Sequence, residues 1–345
     1  MAQVDPVDAP VCLAVATEPT PAEADALVAA VVRLAAQVIA RTGLRPAAVG
    51  IASMAETGVA LDADGRPLTP LLRWDGHRAG TQADALAASL GRAELFAATG
   101  VRASAKVPLA TWAWLADHEP AVHAEMATWV GVADLLALVL TGRAVTDHTL
   151  AGRTMAFRLP GPDGALPTSF DAELLAAVGL RPSTLPQVLG PGEVAGVVPG
   201  PSDGPRGHRH WAAACGALRD AGLAAGTPVV VAGHDHAVGT WAGGARTPGD
   251  RVDSVGTAEA VLSVLPGAPD PDRTAAAGMS SVITVGGGHA VLAGTSSAGA
   301  MLGWLAERTG QDPGVLLAAA HLDLVADPAP TGVLVLPYLA GRQTP

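Results

Sequence analysis

The chain has 345 residues, enough for about two domains of roughly 150 residues each. It carries 21 Lys and Arg against 32 Asp and Glu, and the resulting net charge of −11 at pH 7 disfavours a nucleic-acid or anionic-membrane partner. Arg33 and Asp134 interrupt the two longest apolar runs, so no membrane span is expected. With only two cysteines and no secretion leader, we expect a cytoplasmic protein.

The first third of the chain predicts a helix followed by short strands. Thr20 to Glu23 is typical of a capping box, and the apolar spacing after it predicts a helix that Gly43 ends. Residues 48–54 predict a strand, and residues 58–61 and 71–74 predict a hairpin around the turn at residues 62–65.

Helical patterns and short strands alternate through the rest of the chain. Helices are predicted over 79–99, 108–117 and 211–223, a buried strand over 228–232, and four short strands between 251 and 293. Two more helices, at 300–309 and 313–321, precede a predicted strand at 332–336. This alternation predicts an α/β fold with a domain boundary near Ala245, which gives domains of residues 1–245 and 246–345.

The most informative motif follows the predicted strand at 228–232. His234, Asp235 and His236 come directly after Gly233, where open α/β sheets bind their ligands. A helix starting at Ala237 would favour the ionised form of Asp235 through its dipole, as a general base requires. A helix cap is the other interpretation of Asp235.

Two further segments have weaker signals. The turn at Gly256 and Thr257 could hold phosphate oxygens on its backbone N–H groups, or it could be an ordinary hairpin turn. Glu56 follows the predicted strand at 48–54, where it could accept hydrogen bonds from substrate hydroxyls or lie in solvent.

The order of these motifs resembles that of the FGGY carbohydrate kinases, a family of the actin-like ATPase superfamily with a two-domain, ribonuclease H-like α/β fold. The resemblance covers residues 48–345. The segments that carry it are GIASMAET at 50–57, Trp74 to Arg78, LTG at 140–142, TD at 146–147, RT at 153–154, FDAELL at 170–175, GHD at 233–235, SVGT at 254–257 and LPYLAGRQTP at 336–345.

The resemblance implies a site and a reaction. Asp235 would be the catalytic base, Glu56, Trp74, Arg78 and His234 would line the sugar site, and Gly256 and Thr257 would hold nucleotide phosphate. ATP with Mg²⁺ would phosphorylate a sugar or polyol, with no protein ligand assigned to the metal. The resemblance leaves open whether the chain is a monomer or a homodimer.

The chain also departs from the family pattern. Residues 11–20 lack the family's opening glycine-threonine turn with its Asp, and Gly76 replaces an Asp. Because the chain also stops before the family's adenosine-binding glycines, we expect a sequence truncated at both ends. Its second domain would be incomplete, with apolar surface exposed around 333–339 and poor ATP binding.

Two other functions therefore remain open on the sequence. The first is a non-catalytic sugar-binding remnant of such a kinase, which keeps the sugar site without holding ATP. The second is a metal-dependent hydrolase built on His234, Asp235 and His236, although adjacent residues at a strand end point in different directions.

Overall fold

The computed structural model describes residues 1–4, 10–161, 164–201, 203, 209–256, 259–295, 297–336 and 339. The chain divides into two compact units. The first unit contains residues 1–239 and 283–287, and the second contains residues 240–282 and those from 288 onward. Among the described residues, no helix is both long and apolar enough to cross a membrane.

The first unit alternates strands and helices along the sequence. Its strands are β1 (Ala2–Gln3), β2 (Val11–Cys12), β3 (Val49–Ser53), β4 (Gly58–Leu61), β5 (Thr128–Gly131), β6 (Val145–Asp147), β7 (Gln187–Leu189), β8 (Gly196–Val197) and β9 (Pro228–His234). Its helices are α1 (Ala24–Thr42), α2 (Gly80–Leu90), α3 (Arg92–Thr99), α4 (Pro108–His118), α5 (Pro120–Glu125), α6 (Val132–Thr141), α7 (His148–Ala151), α8 (Ala172–Ala176) and α9 (Ala212–Asp220). Helix α10 (Asp235–Ala242) starts in this unit.

A three-stranded sheet of order β3-β9-β8 positions the polar motif. Strand β3 runs parallel to β9, and Ser53 is the register partner of His234. The β-branched run at 229–231 suits a strand covered on both faces, and its side chains alternate between buried and half-buried. Because parallel strands end at the same edge, the residues that follow β3 and β9 emerge side by side.

The first predicted helix is confirmed, but its predicted start is wrong. Helix α1 ends at Gly43, which takes the left-handed conformation with φ of 64°. Its N-cap is Glu23, whose side chain makes no capping hydrogen bond. The capping box expected from Thr20 does not form because the Ala22 carbonyl accepts the backbone N–H of Leu71, which holds this segment in a loop.

The predicted hairpin is wrong in its second strand. Strand β4 pairs with β5 in antiparallel register, and the segment at 71–74 contributes only an isolated bridge between Leu72 and Gly58. Val59 on β4 and its register partner Val130 on β5 are both fully buried, so the pairing of these two strands buries the two side chains together. Trp74 instead begins a short 3₁₀ turn, Trp74–Gly76.

Apolar side chains from helices and strands form the core of the first unit. Helix α6 is buried over almost its whole length. Trp112 is fully buried and meets Trp129 edge to face, with ring centroids 6.0 Å apart.

Within the described residues, the second unit contains a four-stranded sheet and three helices that lie wholly within the unit. Its elements are β10 (Arg251–Val255), β11 (Glu259–Val264), β12 (Ser280–Ile283), β13 (His289–Thr295), α11 (Pro271–Ala276), α12 (Gly299–Thr309) and α13 (Pro313–Ala326). The sheet order is β10-β11-β13-β12, so all four predicted strands are confirmed.

The end of the described chain exposes apolar side chains. The strand predicted at 332–336 is wrong, because this segment has no strand partner among the described residues. Leu334 is 85% exposed, and residues 333, 335, 336 and 339 are also exposed, as expected from the sequence. Residues 337 and 338 lie outside the described chain.

Candidate active site

Asp235 lies at the carboxyl end of β9 and is the first residue of α10, which therefore starts two residues earlier than predicted. Its side chain is 58% exposed. Its Oδ1 accepts the backbone N–H of His236 at 2.7 Å and lies 3.4 Å from His234 Nε2. The helix dipole stabilises the negative charge of an exposed carboxylate in this position. Asp235 thus combines solvent access with a fixed place at the start of α10.

The imidazole of His234 is largely buried beside this carboxylate. Burial and the nearby positive charge of Arg153 lower the pKa of His234 to about 4. His234 is therefore neutral at pH 7, with one ring nitrogen that donates and one that accepts a hydrogen bond. The His236 ring is 6.0 Å from the His234 ring, centroid to centroid, and its buried Nε2 has no hydrogen-bond partner among the described residues.

Glu56 forms a half-buried ion pair with Arg153, a residue that the sequence analysis did not assign to the site. Arg153 donates from Nε at 3.1 Å and from Nη2 at 2.7 Å, both to Glu56 Oε1. Within the described chain, Oε2 has no hydrogen-bond partner, so it remains available to accept one. Glu56 is therefore not the solvated loop carboxylate of the alternative interpretation, since its side chain is only 12% exposed.

The sequence holds two signals for Arg153, the first of which is its place in the RT segment at 153–154 that contributes to the family resemblance. Arg153 is the one charged residue in the stretch 149–157, which is otherwise small or apolar. A charged group in such a stretch needs a partner when the segment is buried. The identity of that partner, 97 residues away, is a matter of tertiary structure.

The backbone of Glu56 is in an unusual conformation. Its φ is +63°, in the left-handed region that non-glycine residues seldom adopt. Met155, two residues after Arg153, also has a positive φ, of 61°. Such conformations cost about 1–3 kcal/mol each and cluster at functional sites.

Trp74 lies next to the Glu56 loop, whereas Arg78 is held by another contact. The Trp74 backbone N–H donates to Thr57 Oγ1 at 3.2 Å, and the partly exposed indole ring lies 5.1 Å from Lys106 Nζ. The Arg78 guanidinium lies over the ring of Trp114, 5.6 Å from its centroid. The described contacts therefore join Trp74 to the Glu56 loop but do not join Arg78 to it.

A small cavity lies behind Glu56 and is partly polar. Its volume is about 30 Å³, and Trp112, Asp134 and Thr146 contribute to its lining. Neither Trp112 Nε1 nor Asp134 Oδ1 has a hydrogen-bond partner among the described residues. Burial raises the pKa of Asp134 to about 7. This volume suits a water molecule.

The predicted phosphate turn belongs to the second unit. Gly256 follows β10, is exposed, and its carbonyl accepts the Gly299 N–H at 2.8 Å. Strands β10 and β11 are antiparallel partners on either side of this turn, with Val255 opposite Glu259. Thr257 lies outside the described residues.

The metal-dependent hydrolase gains no support from the geometry. Among the described residues, no group of three or more His, Cys, Asp or Glu side chains could hold a metal ion. His234 and Asp235 are adjacent, but the low pKa of His234 comes first from burial and then from Arg153, whose positive charge would also repel a cation.

Solved structures define the class of fold. The xylulose kinase from Rhodospirillum rubrum superimposes with a TM-score of 0.78 at 26% identity, over 95% of this chain and 64% of that one. The Plasmodium falciparum glycerol kinase solved with ADP gives a TM-score of 0.67 at 16% identity, over 83% of this chain and 55% of that one, which shows the fold alone. The chain thus has the actin-like ATPase fold of sugar kinases.

Sequence comparison places the chain within this class. The N-terminal domain of the FGGY family of carbohydrate kinases matches residues 17–241, more than half of the chain. The chain belongs to the FGGY family of carbohydrate kinases.

Curated relatives agree with this assignment. The xylulose kinase of Streptomyces rubiginosus is 35% identical over 233 residues, which are 67% of this chain and 43% of that protein. The gluconokinase of Bacillus subtilis is 23% identical over 310 residues, 86% of this chain and 55% of that protein. The chain therefore spans about half the length of these relatives.

Proposed function

We propose that the site at the ends of β3 and β9 binds a sugar or polyol and phosphorylates one of its hydroxyl groups with ATP. The observation that carries this proposal is the parallel pairing of the two strands. It brings the partly exposed Glu56 loop and the exposed Asp235 carboxylate out at one edge of the sheet. The proposed site therefore combines groups that can bind a hydroxyl-rich substrate with a carboxylate that can act as the base for one hydroxyl.

Asp235 is the general base in this proposal. The substrate hydroxyl oxygen forms a bond to the γ-phosphorus of ATP, the bond from that phosphorus to the ADP oxygen breaks, and Asp235 accepts the hydroxyl proton. Its exposed, helix-stabilised carboxylate suits this role. His234 is neutral, so its ring can donate a hydrogen bond to a second substrate hydroxyl or accept one from it.

Glu56 and Trp74 form the sugar-binding side of the proposed site. The Oε2 atom of Glu56 can accept a hydrogen bond from the substrate, while Arg153 fixes the carboxylate through Oε1. Trp74 offers a partly exposed ring face for the apolar side of a sugar. Arg78 is proposed as a more distant contributor, because its guanidinium lies over Trp114.

ATP and Mg²⁺ complete the proposed reaction, with Gly256 and Thr257 assigned to phosphate binding. Mg²⁺ usually binds through substrate phosphates and one or two carboxylates rather than in an all-protein cage. The described residues contain no such cage, and we therefore assign no protein ligand to Mg²⁺. When bound, Mg²⁺ would neutralise charge on the phosphates.

A phosphorylation assay on the chain and two variants tests this proposal. Single-turnover conditions, with protein in excess over ATP, allow slow transfer to a panel of pentoses, hexoses and polyols to be measured. Asp235→Asn keeps the size of the side chain but removes the base, so we expect the rate to fall at least about 10²-fold with little change in sugar affinity. Asp84→Asn, an exposed aspartate on α2, is the control and should retain the rate.

The outcomes separate the proposal from the non-catalytic alternative. Sugar binding without any transfer by the wild-type chain would support the sugar-binding remnant instead. Equal rates in the wild-type chain and Asp235→Asn would show that the base is elsewhere. Poor ATP binding by this chain stays a prediction. The assay compares the rate of the wild-type chain with that of Asp235→Asn, so it gives an answer even when both rates are slow.

A further inference from the structure

A buried polar network lies behind residues 233–235, where β9 passes directly into α10; this junction is called the turn below. The backbone N–H of His234 donates to Thr149 Oγ1 at 2.9 Å. The Thr149 hydroxyl in turn donates to Asp147 Oδ1, which also accepts the Thr149 backbone N–H at 2.7 Å. Thr149 and Asp147 are 6% and 4% exposed. The turn is thus fixed by a hydroxyl group that a buried carboxylate orients.

Gly233 allows this close approach. A Cβ atom on Gly233 would lie 2.4 Å from Thr149 Oγ1 and 2.7 Å from Asp147 Oδ1, both far inside contact distance. Its φ of 125° is also a conformation that other residues rarely adopt. Because Gly233 has no Cβ, it leaves room for the Thr149 hydroxyl, and the two residues together determine the backbone path of the turn.

The second carboxylate oxygen of Asp147 is also engaged. Asp147 Oδ2 lies 2.9 Å from Nδ1 of His148, whose Nε2 lies 2.9 Å from the carbonyl oxygen of Thr284. Burial disfavours the charged form of His148, but its hydrogen bond to Asp147 and the charge of that carboxylate outweigh burial and raise the pKa of His148. With both oxygens engaged, the Asp147 carboxylate has little freedom to rotate.

We propose that Thr149, oriented by Asp147, is a positioning residue that sets the place of His234 and Asp235 in the site. This inference rests on the proposed function for its catalytic consequence, because it concerns the turn that carries the proposed base. A displacement of about 1 Å in a reacting group can reduce a rate by about 10²-fold. Thr149 touches no reacting atom and acts only through the His234 backbone.

The test replaces the Thr149 hydroxyl and follows His234 by NMR. Thr149→Val keeps the branched shape but removes the acceptor, and Thr149→Ala removes it without any risk of a clash. Each leaves the His234 N–H unpaired, so the turn should shift and the ring should lose its burial. The pKa of His234 should then rise from about 4 toward its ordinary value, while Thr149→Ser should keep the low pKa.

The groups around the His234 ring and a matched threonine make the result specific. The charged and titratable groups that act on His234 are Arg153, Asp235 and His236, and all three remain in every variant. Thr99→Val is the control, because buried Thr99 also accepts a backbone N–H, that of Val101, but on α3. It should leave the pKa of His234 unchanged.

Rates give a second and separate readout. If the chain transfers phosphate, Thr149→Val should lower kcat about 10-fold or more with a smaller change in KM, and Thr149→Ser should restore it. A raised pKa without any transfer by the wild-type chain would support the positioning role and count against the proposed function alone. An unchanged pKa of His234 in both Thr149→Val and Thr149→Ala would overturn the inference.

Discussion

Helices α6 and α13 are both rich in apolar residues, yet they have opposite environments. In the first unit, nine of the ten residues of α6 are buried against strands and neighbouring helices. In the second unit, α13 has no buried residue, and Leu322 is 69% exposed. Apolar composition therefore does not determine burial, because burial depends on what the rest of the chain packs against each helix.

This difference in packing affects how firmly each unit can hold functional side chains in place. Glu56 and Asp235 follow strands of the first unit and His234 ends one, and Asp147, Thr149 and Arg153 support them from buried or half-buried positions. Sites carried on packed elements are held more accurately than sites on loosely packed ones. The second unit has a small described core, formed by Ala245, Leu262, Val264 and Ala290.

A pair of leucine truncations offers the strongest challenge to this comparison. Leu135→Ala on α6 removes a fully buried side chain and should lower the free energy of unfolding of the first unit by about 2–5 kcal/mol. Leu322→Ala on α13 should change stability by no more than about 0.5 kcal/mol, since the side chain is exposed. Urea titrations measure both values, and similar losses in the two variants would show that α13 is buried in solution.

Two glycine substitutions test the same difference in packing between the two units, with smaller expected changes in the free energy of unfolding. Gly233→Ala should destabilise the first unit by about 1–3 kcal/mol, because the new Cβ meets Thr149 and Asp147. A Cβ on Gly303, within α12, meets no atom within 4 Å, so Gly303→Ala should stabilise the second unit by about 0.5–1 kcal/mol. Thermal unfolding of the two variants checks the signs, and a stabilising Gly233→Ala would refute the steric account of the turn.

Local sequence signals predicted the features that depend on local chemistry. The β-branched run at 229–231 predicted β9, and Gly43 predicted the end of α1. The order of motifs along the chain identified the FGGY family, which no single motif could have done.

Contacts between distant segments could not be predicted in this way. Glu56 and Arg153 are 97 residues apart, and Thr149 and His234 are 85 apart, so neither pair leaves a local pattern. The same limit explains the errors. The capping box at Thr20 fails because Leu71 binds the loop before α1, and β4 pairs with β5 rather than with the nearer segment at 71–74.

The central claim is that Glu56 contacts the sugar at the ends of β3 and β9. Calorimetry with the best-bound sugar of a panel, using the wild-type chain and Glu56→Ala, tests it most directly. Glu173→Ala is the control, since Glu173 also pairs with an arginine, Arg158, but is exposed. Melting temperatures, together with the shape-preserving Glu56→Gln, show whether the fold survives the loss of the Arg153 partner.

We predict that Glu56→Ala weakens sugar binding by about 1–3 kcal/mol, the range for a hydrogen bond to a charged group. Glu173→Ala should leave the affinity unchanged, and Glu56→Gln should give an intermediate loss. An affinity in folded Glu56→Ala equal to that of the wild-type chain would contradict the placement of the sugar at this edge of the sheet.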